Sequence, residues 1–212
     1  MGAVEILYRC ADFIAVNKPP GIAVQGDSDA AGLLPLTTEQ LGCRVWLVHR
    51  LDKNTSGVLL LAFNAEAASR LAQLFADKTV SKTYLALSDC RPSKKQGWVK
   101  GGMAKARNGA WKLTRSAENP AITRFFSRSI QPNCRLFVLQ PQTGKTHQLR
   151  VAMKSLGSPI LGDTLYGGSE AERMFLHAWR IEFALNGQFH SIIAPLDATW
   201  PSEISDGLPV TV

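Results

Sequence analysis

The 212-residue chain is 45% hydrophobic and 19% charged, a balance that excludes disordered and collagen-like chains. Its formal net charge of +7 and pI near 9.4 favour a polyanionic partner, because neutralising phosphates releases condensed counterions. Cys10, Cys43, Cys90 and Cys134 form no C-x-x-C pair, so reduced thiols are expected rather than a zinc site or a disulfide framework.

Glu5, Arg9 and Asp12 interrupt the N-terminal stretch where a signal peptide needs an apolar core, and no apolar run reaches the length of a membrane span. A cytoplasmic protein with a single domain over residues 1–212 is expected. Glu5 to Cys10 and Phe13 to Val16 read as short strands around a turn at Ala11-Asp12. Lys18-Pro19-Pro20-Gly21 stops the pairing, since proline lacks a donor and fixes φ. Asp27 to Gly32 reads as a polar loop and Leu33 to Leu41 as a short helix.

Gly57 to Phe63 is an apolar run bounded by turn residues, which suits a strand buried on both faces. The hexad Asp52-Lys53-Asn54-Thr55-Ser56-Gly57 precedes it as a tight loop. A loop entering a rigid central strand can hold a reactive carboxylate, although Asp52 also reads as a residue that closes the turn. Asn64 suits the N-cap of a helix whose apolar stripe is Ala67, Leu71, Leu74 and Phe75. Lys82 to Leu87 alternates as a strand, with Tyr84 on the face away from Thr83, Leu85 and Leu87.

Between residues 91 and 115 stand eight basic residues and no acidic one, with Trp98 and Trp111 among them. Glycines there suggest hairpin turns, giving either a basic arm that tracks phosphates and stacks on bases or a solvated loop over buried tryptophans. Ile122 to Arg128 and Arg135 to Gln140 read as paired strands. Thr146 to Leu156 reads as a helix capped by Thr146 and stopped at Gly157, with His147, Arg150 and Lys154 as a cationic stripe opposite Leu149 and Met153. Gly144-Lys145-Thr146 is no P-loop, because Leu139 occupies the first glycine position. Ile160 to Gly168 reads as a strand leading into a turn, with Asp163 structural. Met174 to Phe183 and Gln188 to Ala194 read as further strands.

His49-Arg50-Leu51-Asp52 followed by Thr55-Ser56-Gly57 resembles the central motif of the RluA-type pseudouridine synthases. Three further stretches resemble that family in its order: Val16 to Gly21, Lys82 to Ala86, and Thr143 to Arg150. The resemblance runs from about Ile6 to Pro195. It implies an α+β pseudouridine synthase fold, a curved and mainly antiparallel mixed sheet with flanking helices and a central cleft. It also implies an isomerase that needs no cofactor or metal, whose partner is ribosomal or transfer RNA, and a monomer is expected.

In that family the aspartate matching Asp52 is the nucleophile, attacking C1′ or C6 of the target uridine. Arg150 matches the cation that keeps it ionised, and Tyr84 the residue that packs on the base and handles the C5 proton. Leu149 is expected as an apolar wall, Arg50 as the side chain filling the space left by a flipped nucleotide, and His49, Thr55, Lys145 and His147 as further substrate contacts. The sequence departs from the family at Lys145, where arginine is usual, and at Ala152, where histidine is usual. Competing readings are a carboxylate-pair glycosidase using Asp52 with a partner such as Asp163 or Glu182, and an RNA-binding protein on the same fold without catalysis.

Overall fold

The structure is a computed structural model that describes residues 3–26 and 31–207. Residues 27–30 of the expected polar loop lie outside the described residues. β1 (Glu5–Arg9) and β2 (Phe13–Lys18) form the antiparallel pair expected at the start. α1 (Leu33–Leu41) ends where Gly42 turns left-handed. β3 (Trp46–Leu47), β4 (Ser56–Ala62) and α2 (Ala65–Ala76) follow. Asn64 caps α2 as its position predicts, its side chain accepting the Ala67 N–H at 2.8 Å.

β5 (Ser81–Ser88), β6 (Gln96–Lys105) and β7 (Trp111–Thr114) carry the chain through the basic segment. β8 (Ala121–Gln131) and β9 (Cys134–Pro141) are the expected pair. α3 (Gln148–Ser155), β10 (Leu176–Leu185) and β11 (Gln188–Ile193) come last among the longer elements. The strands run in the order β1-β2-β4-β10-β5-β9-β8-β6-β7, with β3 beside β4 and β11 beside β10. β4 and β10 pair in parallel and their neighbours antiparallel, so this is the mixed sheet of an α+β protein. None of the described helices is long and apolar enough to cross a membrane.

β4 is buried along its whole length. Val58, Leu60 and Ala62 pack with Ala67 and Leu71 of α2, while Leu59 and Leu61 pack with Leu33 of α1. Two covered faces require the unbroken apolar run that marks this strand in the sequence. α3 lies on one face of β5, β9 and β8, where Leu149, Met153 and Leu156 meet Ala86, Phe125, Phe137 and Leu139.

Three expectations need correction. The strand foreseen at Ile160 is absent, because the chain from 160 to 168 coils around a 3-10 turn at Thr164–Tyr166. Gly168 permits that coil: a Cβ there would stand 1.9 Å from the Ile160 carbonyl oxygen. The helix foreseen from Thr146 begins at Gln148, because His147 adopts a left-handed φ of 56° and no side chain caps the helix. Arg150 does not belong to an exposed cationic stripe, since it is 8% exposed.

Candidate active site

The hexad that ends in β4 is tied down from three sides. The Thr55 N–H donates to the Asp52 carbonyl at 3.0 Å and closes the turn. Behind it, the Lys18 ammonium donates to the carbonyls of Lys53 and Pro19, each at 2.8 Å, and the Gly21 N–H also reaches Lys53. Lys18 is fully buried. Burial lowers its pKa to about 7, against the upward pull of the Asp52 charge.

His49 makes the third tie by completing the ladder along one edge of β4. β10 pairs with Ser56 and Gly57, and β3 pairs with Leu61 and Ala62. Between them the Leu60 N–H donates to His49 Nε2 at 3.0 Å, and the ring stacks on Phe75 at 4.6 Å. A ring nitrogen that accepts must be unprotonated. Burial accordingly pushes the His49 pKa down to about 3, helped by the charge of Lys82.

Below the loop, Ser56 Oγ lies 2.8 Å from His177 Nδ1, and His177 Nε2 lies 3.2 Å from the Ala194 carbonyl. A carbonyl only accepts, so Nε2 carries the proton and Nδ1 accepts the Ser56 hydroxyl. Arg173 donates to Ser56 Oγ and pairs with Asp197, which joins the start of β4 to the segment after β11. Gly57 cannot be replaced here: at φ +109°, a Cβ would sit 2.3 Å from the Ala178 carbonyl oxygen of β10. Ala178 in turn pairs with Tyr84 of β5, which sets the tyrosine two strands from Gly57.

Arg150 is the centre of the opposite wall. Its Nε and Nη2 donate to the two oxygens of Asp163, both at 2.7 Å, and its guanidinium lies 4.8 Å from the centre of the Tyr166 ring. Burial pulls its pKa down, but the Asp163 bonds and charge, with Asp52 adding to them, leave it raised. Asp163, expected to be structural, is the group that aims the arginine. The Tyr166 hydroxyl accepts the Trp111 N–H at 2.8 Å and lies 2.8 Å from His147 Nδ1, so β7 is fastened to the same wall.

Gln148 organises the loop before α3. Its Oε1 accepts from the Thr143 hydroxyl and the Lys145 N–H, and its Nε2 donates to Ile122 O and Thr123 Oγ1. Each of its side-chain hydrogen-bonding sites is used, which explains a buried glutamine.

Between the two walls opens a cleft of about 560 Å³ lined by Asp52, Tyr84, Arg150 and all the other expected site residues: His49, Arg50, Thr55, Lys145, His147 and Leu149. Arg50 is exposed at it, whereas Thr55 and Leu149 are buried in its lining. Asp52 is the single carboxylate among the lining residues, against the cations Arg50, Lys78, Lys82, Lys145 and Arg150. Burial lowers the pKa of Lys82. Burial, and then the Asp52 charge, raise that of Tyr84. Sequence reasoning named Lys18, Lys82 and Gln148 only as parts of motifs. A basic or amide residue inside a strand or at a helix start was the signal available for them.

The sequence family described as RNA pseudouridylate synthase matches residues 12–155, which include Asp52, Tyr84 and Arg150. An uncharacterized RNA pseudouridine synthase of Haemophilus influenzae is 56% identical over 192 residues, covering 89% of this chain and 86% of the relative. Ribosomal large subunit pseudouridine synthase C of Rickettsia bellii is 40% identical over 184 residues, covering 82% of this chain and 61% of the relative. The chain thus spans less than two thirds of the Rickettsia protein. Among solved structures, human RNA pseudouridylate synthase domain containing 1 superposes with a TM-score of 0.79 at 27% identity, covering 94% of this chain and 86% of that one. The chain belongs to the RNA pseudouridine synthase family, a family of isomerases acting on RNA, and it has the α+β fold of that family.

Proposed function

We propose that the protein isomerises specific uridines of structured RNA, ribosomal or transfer, to pseudouridine in the cytoplasm, with Asp52 as nucleophile. The observation that carries this reading is the cleft itself: one carboxylate faces five cations, with Tyr84 and Leu149 supplying ring-sized apolar walls. Such a surface draws in a polyanion and holds one reactive acid against it. The name of the Rickettsia relative favours large-subunit ribosomal RNA as the substrate class.

The target nucleotide leaves its stack at a cost of about 2–4 kcal/mol. Arg50, exposed at the cleft, fills the vacated place. Asp52 attacks C1′ or C6, the N1–C1′ bond breaks, the base turns, and C5 bonds to C1′. The C5 proton is then lost, which restores the aromatic ring. Arg150 faces Asp52 across the cleft as its counter-charge, while Asp163 fixes the direction of its guanidinium. Burial holds the Tyr84 phenol protonated, so Tyr84 first serves as the platform for the ring. Its oxygen takes the C5 proton as its own proton passes to the released carboxylate. Lys145 meets phosphate as a point charge, without the bidentate fork of arginine. His49 acts beneath the loop, through Leu60, to hold Arg50 and Asp52 in place.

The test uses RNA labelled with tritium at uridine C5, taken from cells that lack the protein. Release of tritium by wild type but not by Asp52→Asn is the expected outcome. If no RNA fraction releases tritium with the wild-type enzyme, the reading fails.

A further inference from the structure

The strands β6 and β8 present two different faces. Phe125 and Val99 point towards α3, on the side of the cleft, with Leu139 opposite Phe125. Alternation along a strand then sends Trp98, Lys100, Arg124, Phe126 and Arg128 to the outer face. Trp98 is paired directly with Arg124, and Phe126 lies one step along the same strand face. Trp98 and Phe126 are each 47% exposed, an unusual state for aromatic residues on a sheet.

The two strands carry charge of one sign, with Glu203 bonded to Gln131 at the far end of β8. Neither β6 nor β8 contains an aspartate or glutamate. Among the described residues, Lys100, Arg124 and Arg128 have no carboxylate in ion-pair reach. Lys100 lies 5.1 Å from the centre of the Trp98 ring, so cation and aromatic form one platform. Just beyond, Lys94, Lys95 and Arg135 line a shallow recess that also includes Phe126 and Arg128. Exposed rings between unpaired cations fit a polymer that offers bases and phosphates alternately. An apolar protein partner would leave these cations desolvated and unpaired.

We propose that this outer face is a second RNA-binding surface, on which bases stack against Trp98 and Phe126 while Lys100, Arg124 and Arg128 hold phosphates. The choice of RNA as the polyanion rests on the uridine-isomerising reading of the cleft. β7 pairs only with residues 102–105 of β6, so the edge of β6 from 96 to 101 stays open opposite its pairing with β8. An RNA strand leaving the cleft crosses that edge to reach the outer face. Bulk RNA around the target is thereby gripped without occupying the reaction chamber.

Filter binding of an in vitro large-subunit ribosomal RNA transcript to the full chain, at about 50 to 200 mM KCl, tests this surface. Trp98→Ala with Phe126→Ala is expected to weaken binding about tenfold. Arg124→Gln with Arg128→Gln is expected to reduce the slope of log affinity against log salt by about 1.5. Trp98, Arg124 and Phe126 are exposed and Arg128 is half-buried, donating also to the Ile204 carbonyl, so thermal midpoints of the variants check that the fold is kept. Wild-type affinity and slope in both double variants overturn the proposal. Unchanged RNA binding together with lost self-association in sedimentation also overturns it, making the face a contact between copies. Tritium release from C5 reports separately on the cleft. Release with unchanged affinity removes this surface and leaves the isomerase, whereas weakened affinity without release does the converse.

Discussion

Around β4, β5 and β10 the charged groups are held, whereas on β6 and β7 they stand free. Lys18 is fixed by two carbonyls, Arg150 by both oxygens of Asp163, and Arg173 by Asp197 and Ser56. Lys100, Lys105 and Lys112 are exposed, and none has a carboxylate within ion-pair reach among the described residues. Bond chemistry needs groups fixed to a fraction of an ångström, so the first region spends buried hydrogen bonds on position. If the second region holds RNA as proposed, it needs charge that follows a variable backbone, and exposed lysines carry such charge at little cost to folding.

The sharpest way to break this contrast is Asp163→Ala. It leaves the buried Arg150 guanidinium without its partner, which costs about 3–5 kcal/mol. The thermal midpoint should fall by on the order of 10 °C. A midpoint within a degree of wild type means that the held region is not held by this pair.

Acid gives the next largest effect. Folded His49 resists protonation until about pH 3, while the unfolded residue takes a proton near its ordinary value of 6.5. The unfolded chain therefore binds more protons between these values, and stability falls as pH drops through that window. The loss from His49 amounts to about 2 kcal/mol at pH 5. His177, lowered to about 4 by burial, adds to it in the same direction. Denaturant titrations at pH 7 and pH 5 measure the loss, and His49→Asn should shrink the difference between them.

Asn64→Ala removes the cap of α2 and should cost about 1 kcal/mol, a midpoint shift of about 2–4 °C. The smallest effect on stability belongs to the arm. Lys105→Gln with Lys112→Gln should stay within about 0.5 kcal/mol of wild type, yet reduce the salt slope of RNA binding by about 1.5. Destabilisation of the same size as Asp163→Ala would erase the contrast between the two regions.

Local pattern made much of the fold legible. The apolar run of β4 marks a doubly buried strand, Asn64 marks a helix start, and the glycines around β6 and β7 mark a hairpin. The cleft residues Asp52, Tyr84 and Arg150 were legible through ordered motifs, since physical reasoning on each alone leaves a turn aspartate, a strand tyrosine and a helix arginine. What stayed hidden depends on partners distant in the chain. Arg150 looks like a surface cation until Asp163 meets it, and nothing local to His49 announces the bond that its ring accepts from the Leu60 N–H. Thr146 looks like a helix cap until Gln148 bonds strands across the loop and His147 turns left-handed. No periodicity reports such bonds.

The parallel seam between β4 and β10 also bears on how the molecule comes into being. Ser56 and Leu176, which meet there, are separated by 120 positions in the chain. Closing so long a loop is entropically slow, and contacts of this range delay the rate-limiting step of folding. On the ribosome, β2 and β4 can pair early, while the seam waits for β10 to emerge. Until then the edge of β4 is an unpaired, apolar template open to other chains. A nascent chain halted before β10 is thus the species most exposed to aggregation, and the loop that carries Asp52 gains its final clasp only once β10 has emerged.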